Sequence, residues 1–177
     1  MTIKPIVAVL TLSLMCSTAF AASAPAAPVV APSTAPSTVY VGKLGGKFDP
    51  DRVAANDLTE AISQAKAQNK RIIMDVGGEW CVWCLRMDRF MQGNEMIRNT
   101  VAKDYVWLKV NYSDENKNEA FLSQYPKVKG YPHLFVLDAD GKLLQSENTG
   151  ELEQDKSYNA EKLLAFLQQW SGKESGN

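Results

Sequence analysis

The sequence predicts an α/β domain: a central mixed β-sheet flanked by helices on both faces. Three observations carry this. Two short apolar runs, residues 71–76 (RIIMDV) and 105–110 (YVWLKV), are separated by stretches with helical spacing of apolar residues, the pattern of a βαβ unit. Two further runs, residues 133–138 and 142–146, flank Asp138-Ala139-Asp140-Gly141, a hairpin signal that makes the sheet mixed. A closing stretch then puts Leu163, Phe166, Leu167 and Trp170 on one helical face, with Asn159 as its cap. At 177 residues the chain has room for one such domain and not for two comfortable ones.

Taken in order, the first residues stand apart from the fold. Lys4 precedes an apolar run over residues 6–15, and Ala19-Phe20-Ala21 supplies a small-x-small cleavage pattern, so residues 1–21 read as a cleaved signal peptide. The run spans about 15 Å as a helix, half a bilayer core, which is too short to cross a membrane. Cys16 follows Met15, where a lipoprotein anchor would need a small residue, and reads as a signal-peptide cysteine without function. Residues 22–38 place Pro25, Pro28, Pro32 and Pro36 among Ala, Ser and Thr, an extended linker with nothing to bury. The domain is expected over residues 39–171, with 172–177 as a flexible tail. Within it, Asp57-Leu58-Thr59-Glu60 matches a capping box, followed by Leu58, Ala61, Ile62 and Ala65 at helical spacing and a stop at Asn69. Gly77-Gly78 bounds the first strand. Met87, Phe90 and Met91 predict a helix whose first turn carries Cys81 and Cys84. Gly93-Asn94 breaks it, and a second helical piece runs from Asn94 to about Val101. Residues 116–124 are expected to be helical, stopping before Pro126.

Composition narrows the function classes. Hydrophobic residues at 45% and charged residues at 22% are ordinary globular usage, which excludes general disorder, collagen-like and multispanning membrane chains. Lys plus Arg at 19 against Asp plus Glu at 20 leaves no electrostatic footprint for nucleic acid or an anionic membrane. Three cysteines and one histidine are too few for a multi-site metalloprotein. Removal of residues 1–21 would leave only Cys81 and Cys84.

Those two cysteines, three apart, follow a buried strand and open a helix. Unpaired N–H groups at the helix start favour a thiolate on the first of them. Thiolate is the nucleophile in thiol–disulfide exchange, so Cys81 would attack, as the more exposed sulfur, and Cys84 would resolve. A purely structural disulfide across so short a loop contributes only about 2 kcal/mol by chain entropy. A zinc site needs two further ligands, and beyond the cysteines only His133 and carboxylates remain. Redox chemistry is the favoured reading over both, with no metal.

The stretch from Ile72 through Asp75-Val76-Gly77-Gly78-Glu79-Trp80-Cys81-Val82-Trp83-Cys84 resembles the active-site segment of the thioredoxin superfamily, where a strand bearing a buried Asp leads to Trp-Cys-x-x-Cys. Lys129-Gly130-Tyr131-Pro132 before the strand at 133–138 resembles that family's cis-proline loop. The likeness spans about residues 58–170 and is greatest to exported members, such as the periplasmic thioredoxin-like domain of the bacterial transmembrane disulfide reductase. It implies a thioredoxin-like fold and a periplasmic thiol:disulfide oxidoreductase that needs no cofactor beyond a Cys81–Cys84 redox disulfide. It implies Cys81 as nucleophile, Cys84 as resolving thiol and Asp75 as the buried proton relay, with Lys109 in support. Trp80, Trp83, Tyr131 and Pro132 would line the substrate site. Partners would be protein thiols and disulfides and a membrane or periplasmic redox partner, with a monomer acting and no nucleic acid involved. Three positions depart from the family pattern. Val82-Trp83 is not the Gly-Pro of thioredoxin, Gly77 stands where thioredoxin has an aromatic residue, and His133 replaces the threonine after the cis-proline. A non-catalytic binding or folding-helper module is the alternative.

Overall fold

The computed structural model describes residues 44–172. The signal peptide and linker read at 1–38, Cys16, the first residues of the expected domain and all but the first residue of the C-terminal tail lie outside that range. The elements are α1 (Ala54–Gln68), β1 (Arg71–Gly77), α2 (Val82–Gly93), α3 (Glu95–Asp104), β2 (Tyr105–Asn111), α4 (Glu119–Leu122), β3 (His133–Leu137), β4 (Leu143–Asn148), a 3-10 turn (Thr149–Leu152), β5 (Glu153–Gln154), β6 (Ser157–Tyr158) and α5 (Ala160–Gln169). The main sheet has the order β2-β1-β3-β4. β1 pairs parallel with β2 and antiparallel with β3, and β4 is antiparallel to β3. The expected mixed sheet with helices on both faces is present.

Side chains alternate across a strand, and this divides the core in two. Ile73, Trp107, Leu134 and Val136 face Met87 and Met91 of α2, Ile97 and Val101 of α3, and Leu163 and Leu167 of α5. Ile72, Met74, Val106, Leu108, Phe135 and Leu137 face Ala61 and Ala65 of α1. Asp75 shares the Ile73 face by parity, so it points toward α2. Lys109 is its Cα partner across the parallel β1–β2 pair. An acid and a lysine are thereby set side by side beneath the first turn of α2.

Three elements differ from the sequence reading. The first helix begins at Ala54 rather than after Asp57, with Val53 at the N-cap and no side-chain cap. Buried Ala54 extends the apolar stripe of Ala61 and Ala65 by two turns, and this packing outweighs the capping box. Asp57 instead accepts from Arg52 Nε at 2.7 Å. The helix read at 116–124 shrinks to the single turn of α4. Asn118 takes a left-handed φ of 49°, and its amide donates to Asn111 O while that of Asn116 donates to Pro50 O. Those loop bonds compete with a helical start. The β5–β6 ribbon was not anticipated: it is two residues per strand, turning at Asp155 with φ 55°, too short to show a period.

Candidate active site

Cys81 is the N-cap of α2, and its Sγ accepts from the Cys84 backbone N–H at 3.1 Å. The two sulfurs are bonded. In the reduced state that N–H and the helix N-terminus would stabilise a thiolate on Cys81. Both cysteines are buried, at 4% and 1% exposure. The expected advantage of Cys81 in exposure is therefore slight, and its N-cap position is what distinguishes it. Phe48, Trp83 and Tyr131 close around the pair.

The rim is aromatic. The Tyr131–Pro132 peptide is cis. Tyr131 meets Trp80 edge-on at 5.7 Å and stacks on Tyr112 at 4.8 Å. Trp80 is more than half exposed, and its Nε1 donates to Tyr112 O at 2.6 Å. A Cβ at Gly78 would lie 2.4 Å from that nitrogen, so a glycine there lets the indole fold back. On the other side Trp83 meets Tyr158 edge-on and lies under the Arg86 guanidinium at 4.3 Å. Thr149 Oγ1 donates to Pro132 O at 2.6 Å. Of the four residues read from the sequence as a substrate surface, Trp83 and Tyr131 pack against the disulfide, Trp80 packs on Tyr131, and Pro132 follows Tyr131 through the cis bond.

Behind the sulfurs lies a buried charge cluster. Lys109 Nζ donates to Asp75 Oδ2 at 3.2 Å and to Asp88 Oδ2 at 2.5 Å. Trp107 Nε1 donates to Asp75 Oδ2 at 3.3 Å. Among the described residues, the remaining oxygens of the two acids, Asp75 Oδ1 and Asp88 Oδ1, are buried without a hydrogen-bond partner. Burial holds the Asp75 carboxyl above the ordinary carboxylate value, against the pull of Lys109. Burial first, then the Asp75 charge, push Asp88 up to about 6. For Lys109 burial acts downward, but the two carboxylates outweigh it and hold the ammonium above its ordinary value. Two acids against one base make a compartment that holds a proton more tightly than an exposed carboxyl does.

His133 lies on the opposite face of the sheet. Its ring packs on Phe135 at 4.6 Å, Nε2 lies 2.9 Å from Ser146 Oγ, and burial lowers its pKa to about 4. The sequence reading did not single out Asp88, Phe48, Tyr112, Thr149 or Tyr158. Asp88 alone left a signal: it sits one turn beyond Cys84 on the stripe that carries Met87 and Met91. Among the described residues no three His, Cys, Asp or Glu side chains group as metal ligands.

A family model described as thioredoxin-like matches residues 53–139. A disulfide bond reductase of Chlamydia pneumoniae, DsbH, is 32% identical over 95 residues, 48% of this chain and 56% of that protein. A thiol:disulfide interchange protein of Pseudomonas fluorescens, DsbD, is 29% identical over 117 residues, 65% of this chain and 18% of that protein. The chain thus spans little more than half the length of one relative and under a fifth of the other. Among solved structures, a disulphide isomerase from Xylella fastidiosa aligns with TM-score 0.61 at 22% identity, covering 72% of this chain and 98% of its own. The oxidised C-terminal domain of DsbD from Neisseria meningitidis aligns with TM-score 0.54 at 17% identity, covering 71% and 99%. At such identities these two likenesses speak to the fold.

Proposed function

Because the chain belongs to the thioredoxin superfamily, we propose that it is an exported thiol:disulfide oxidoreductase that reduces or isomerises protein disulfides through Cys81 and Cys84. One observation carries the reading: the Cys81–Cys84 disulfide caps α2 beside the Tyr131–Pro132 loop, with Asp75, Lys109 and Asp88 buried behind it. In reduction, the Cys81 thiolate attacks a substrate disulfide, forming a mixed disulfide and releasing one substrate thiolate. Cys84 then attacks Cys81 Sγ, the mixed bond breaks, and the second substrate thiolate leaves. The substrate gains two electrons and the Cys81–Cys84 pair loses them. The resolving attack needs the Cys84 proton removed, and a free carboxylate oxygen of the buried cluster is the acceptor of suitable pKa.

The dithiol supplies the electrons, so the reaction uses no bound cofactor or metal. Substrates are protein disulfides laid across Trp80, Trp83, Tyr131 and Pro132. Cleavage after residue 21 delivers the protein to the periplasm as a monomer, and a membrane or periplasmic partner restores the dithiol. The relatives named as a reductase and an interchange protein favour reduction over oxidation. A binding module without turnover would gain nothing from two buried acids, which burial makes costly to ionise.

Insulin-disulfide reduction with dithiothreitol as donor tests the reading. Wild type should accelerate it and Cys81→Ser should not. Cys84→Ser should accumulate a mixed disulfide with the insulin chain on a non-reducing gel. A wild-type rate no faster than dithiothreitol alone would overturn the enzyme reading in favour of the binding module.

A further inference from the structure

Phe48 belongs to no helix or strand, and its neighbours Lys47 and Asp49 are exposed. Its own side chain is nonetheless 1% exposed. Four contacts account for the burial. The ring packs on both cysteines. Its Cζ and Cε1 come within 3.0 and 3.2 Å of where a Cβ on Gly77 would stand. Lys109 Nζ lies 3.8 Å from the ring centroid, a cation–π distance. Its backbone N–H donates to Glu79 Oε1 at 2.8 Å, tying the segment to the loop that carries the cysteines. The ring fills space that Gly77 leaves open, and it reaches that space from a segment ahead of α1.

We propose that Phe48 is a positioning residue of the redox centre, a wall that keeps water from the compartment shared by Cys84, Asp75, Lys109 and Asp88. This rests on the oxidoreductase reading above. Asp75 faces the compartment from β1, Lys109 from β2, Asp88 from α2 and the two cysteines from the α2 N-terminus. Glu79 acts on Asp88 through its charge, and Tyr158 of the β5–β6 ribbon feels the charge of Asp75. Each acid already accepts a hydrogen bond from Lys109 and keeps one oxygen without a partner. Water is the one strong solvating agent left to them, and the phenyl ring occupies its route past Gly77. With the wall in place the acids hold a proton to higher pH than exposed carboxyls would. With it gone, solvation favours the carboxylates and the proton leaves at lower pH.

The test follows the side-chain carboxyl carbons of Asp75 and Asp88 by NMR against pH in the full oxidised chain, for wild type, Phe48→Leu and Phe48→Ala. Insulin-reduction rates are taken over the same pH range. Phe48→Ala should lower the carboxyl midpoints by about one pH unit, since full desolvation accounts for shifts of up to about 3–5 units, and should move the acid limb of the rate profile with them. Phe48→Leu, which still fills the gap, should stay within a few tenths of a unit of wild type. A purely structural role would lower the rate at every pH and leave the midpoints in place, which would overturn the proposal. Equal shifts in both variants would overturn it too, because only the cation–π contact is lost in common. Should Phe48→Ala not hold its fold in acid, Phe48→Val bears the same expectation at smaller amplitude. A wild type inactive toward insulin, with midpoints that still follow the size of residue 48, would support the wall and overturn the oxidoreductase reading instead.

Discussion

Asp88→Asn should make the fold more stable at alkaline pH and leave it nearly unchanged in acid. With both carboxyls ionised, Asp75 and Asp88 set two negative charges against the one positive charge of Lys109. Burial and the Asp75 charge raise Asp88 from 3.8 to about 6, so the folded state binds this proton more tightly than the unfolded chain does. The stability it confers is fully present below the unfolded value near 4 and is lost as pH rises through about 6. A lift of about two units is worth on the order of 3 kcal/mol. Screening removes little of it, because the Asp88 side chain is only 9% exposed. The variant's amide still offers an oxygen to Lys109 and leaves the ammonium paired one to one with Asp75.

The assay is urea unfolding of the oxidised wild type and Asp88→Asn in steps from pH 4 to pH 8, with equal m-values required for comparison. The stability of the variant relative to wild type should climb by roughly 2–3 kcal/mol across that range, most steeply around pH 6. A difference that stays flat, or that falls as pH rises, would show that Asp88 ionises without penalty. The account of the cluster as a compartment holding a proton would then be wrong.

Gly77→Ala should destabilise the oxidised protein by about 1–3 kcal/mol, read from denaturant midpoints, because its Cβ would fall 2.6 Å from Cys84 Sγ and 3.0 Å from Phe48 Cζ. An unchanged midpoint would mean that the ring is not confined there. Thr149→Val removes the donor to Pro132 O, a buried bond of 2.6 Å. It should cost about 1–3 kcal/mol of stability and slow insulin reduction, while Thr149→Ser should restore both. His133, lowered to about 4 by burial, favours the fold above its unfolded value near 6.5 and weakens it as pH falls toward 4. Its ring proton resonances should therefore hold still from pH 8 to pH 5, and titration near 6.5 would contradict its burial.

The parts of the site that were legible in the sequence are those that one short segment carries. Asp75, Trp80, Cys81 and Cys84 lie within ten residues, and the apolar context of β1 marks Asp75 as buried. Tyr131 and Pro132 were legible through family likeness, since nothing in their own chemistry distinguishes the loop. Asp88 was half legible, as an acid one turn beyond Cys84 on a face otherwise given to Met87 and Met91. Phe48 was not. A single aromatic between Lys47 and Asp49 has no period, and its burial depends on a gap at Gly77, 29 residues on in the chain. The same limit explains the elements that moved. The start of α1 was decided by Ala54 against the sheet, and the shortening of α4 by amides of Asn116 and Asn118 that bond to distant backbone.

Strand direction explains why these scattered residues meet. β1 and β2 run parallel and end at the same edge of the sheet; β3 begins there because it is antiparallel to β1, and β4 ends there because it is antiparallel to β3. Four connections therefore converge: Gly78–Cys81 after β1, Tyr112 after β2, Tyr131–Pro132 before β3 and Thr149 after β4. The last two meet because His133 is paired with Asn148, which sets Thr149 beside Pro132 and makes their hydrogen bond a consequence of register. Depth follows from register as well. Asp75 and Lys109 pair two residues in from the ends of their strands, on the face that α2 covers, so their charges are buried beneath the sulfurs and not at the rim. On the proposed reading, a substrate arriving at that edge meets exposed Trp80, with Tyr131 edge-on beside it, before it reaches the buried disulfide. The same reading places proton transfer at the buried acids, away from that rim. If the proposed function holds, the fold separates the surface that selects a disulfide from the compartment that moves its proton, and substitutions at the aromatic rim should leave the pH dependence set by the buried acids in place.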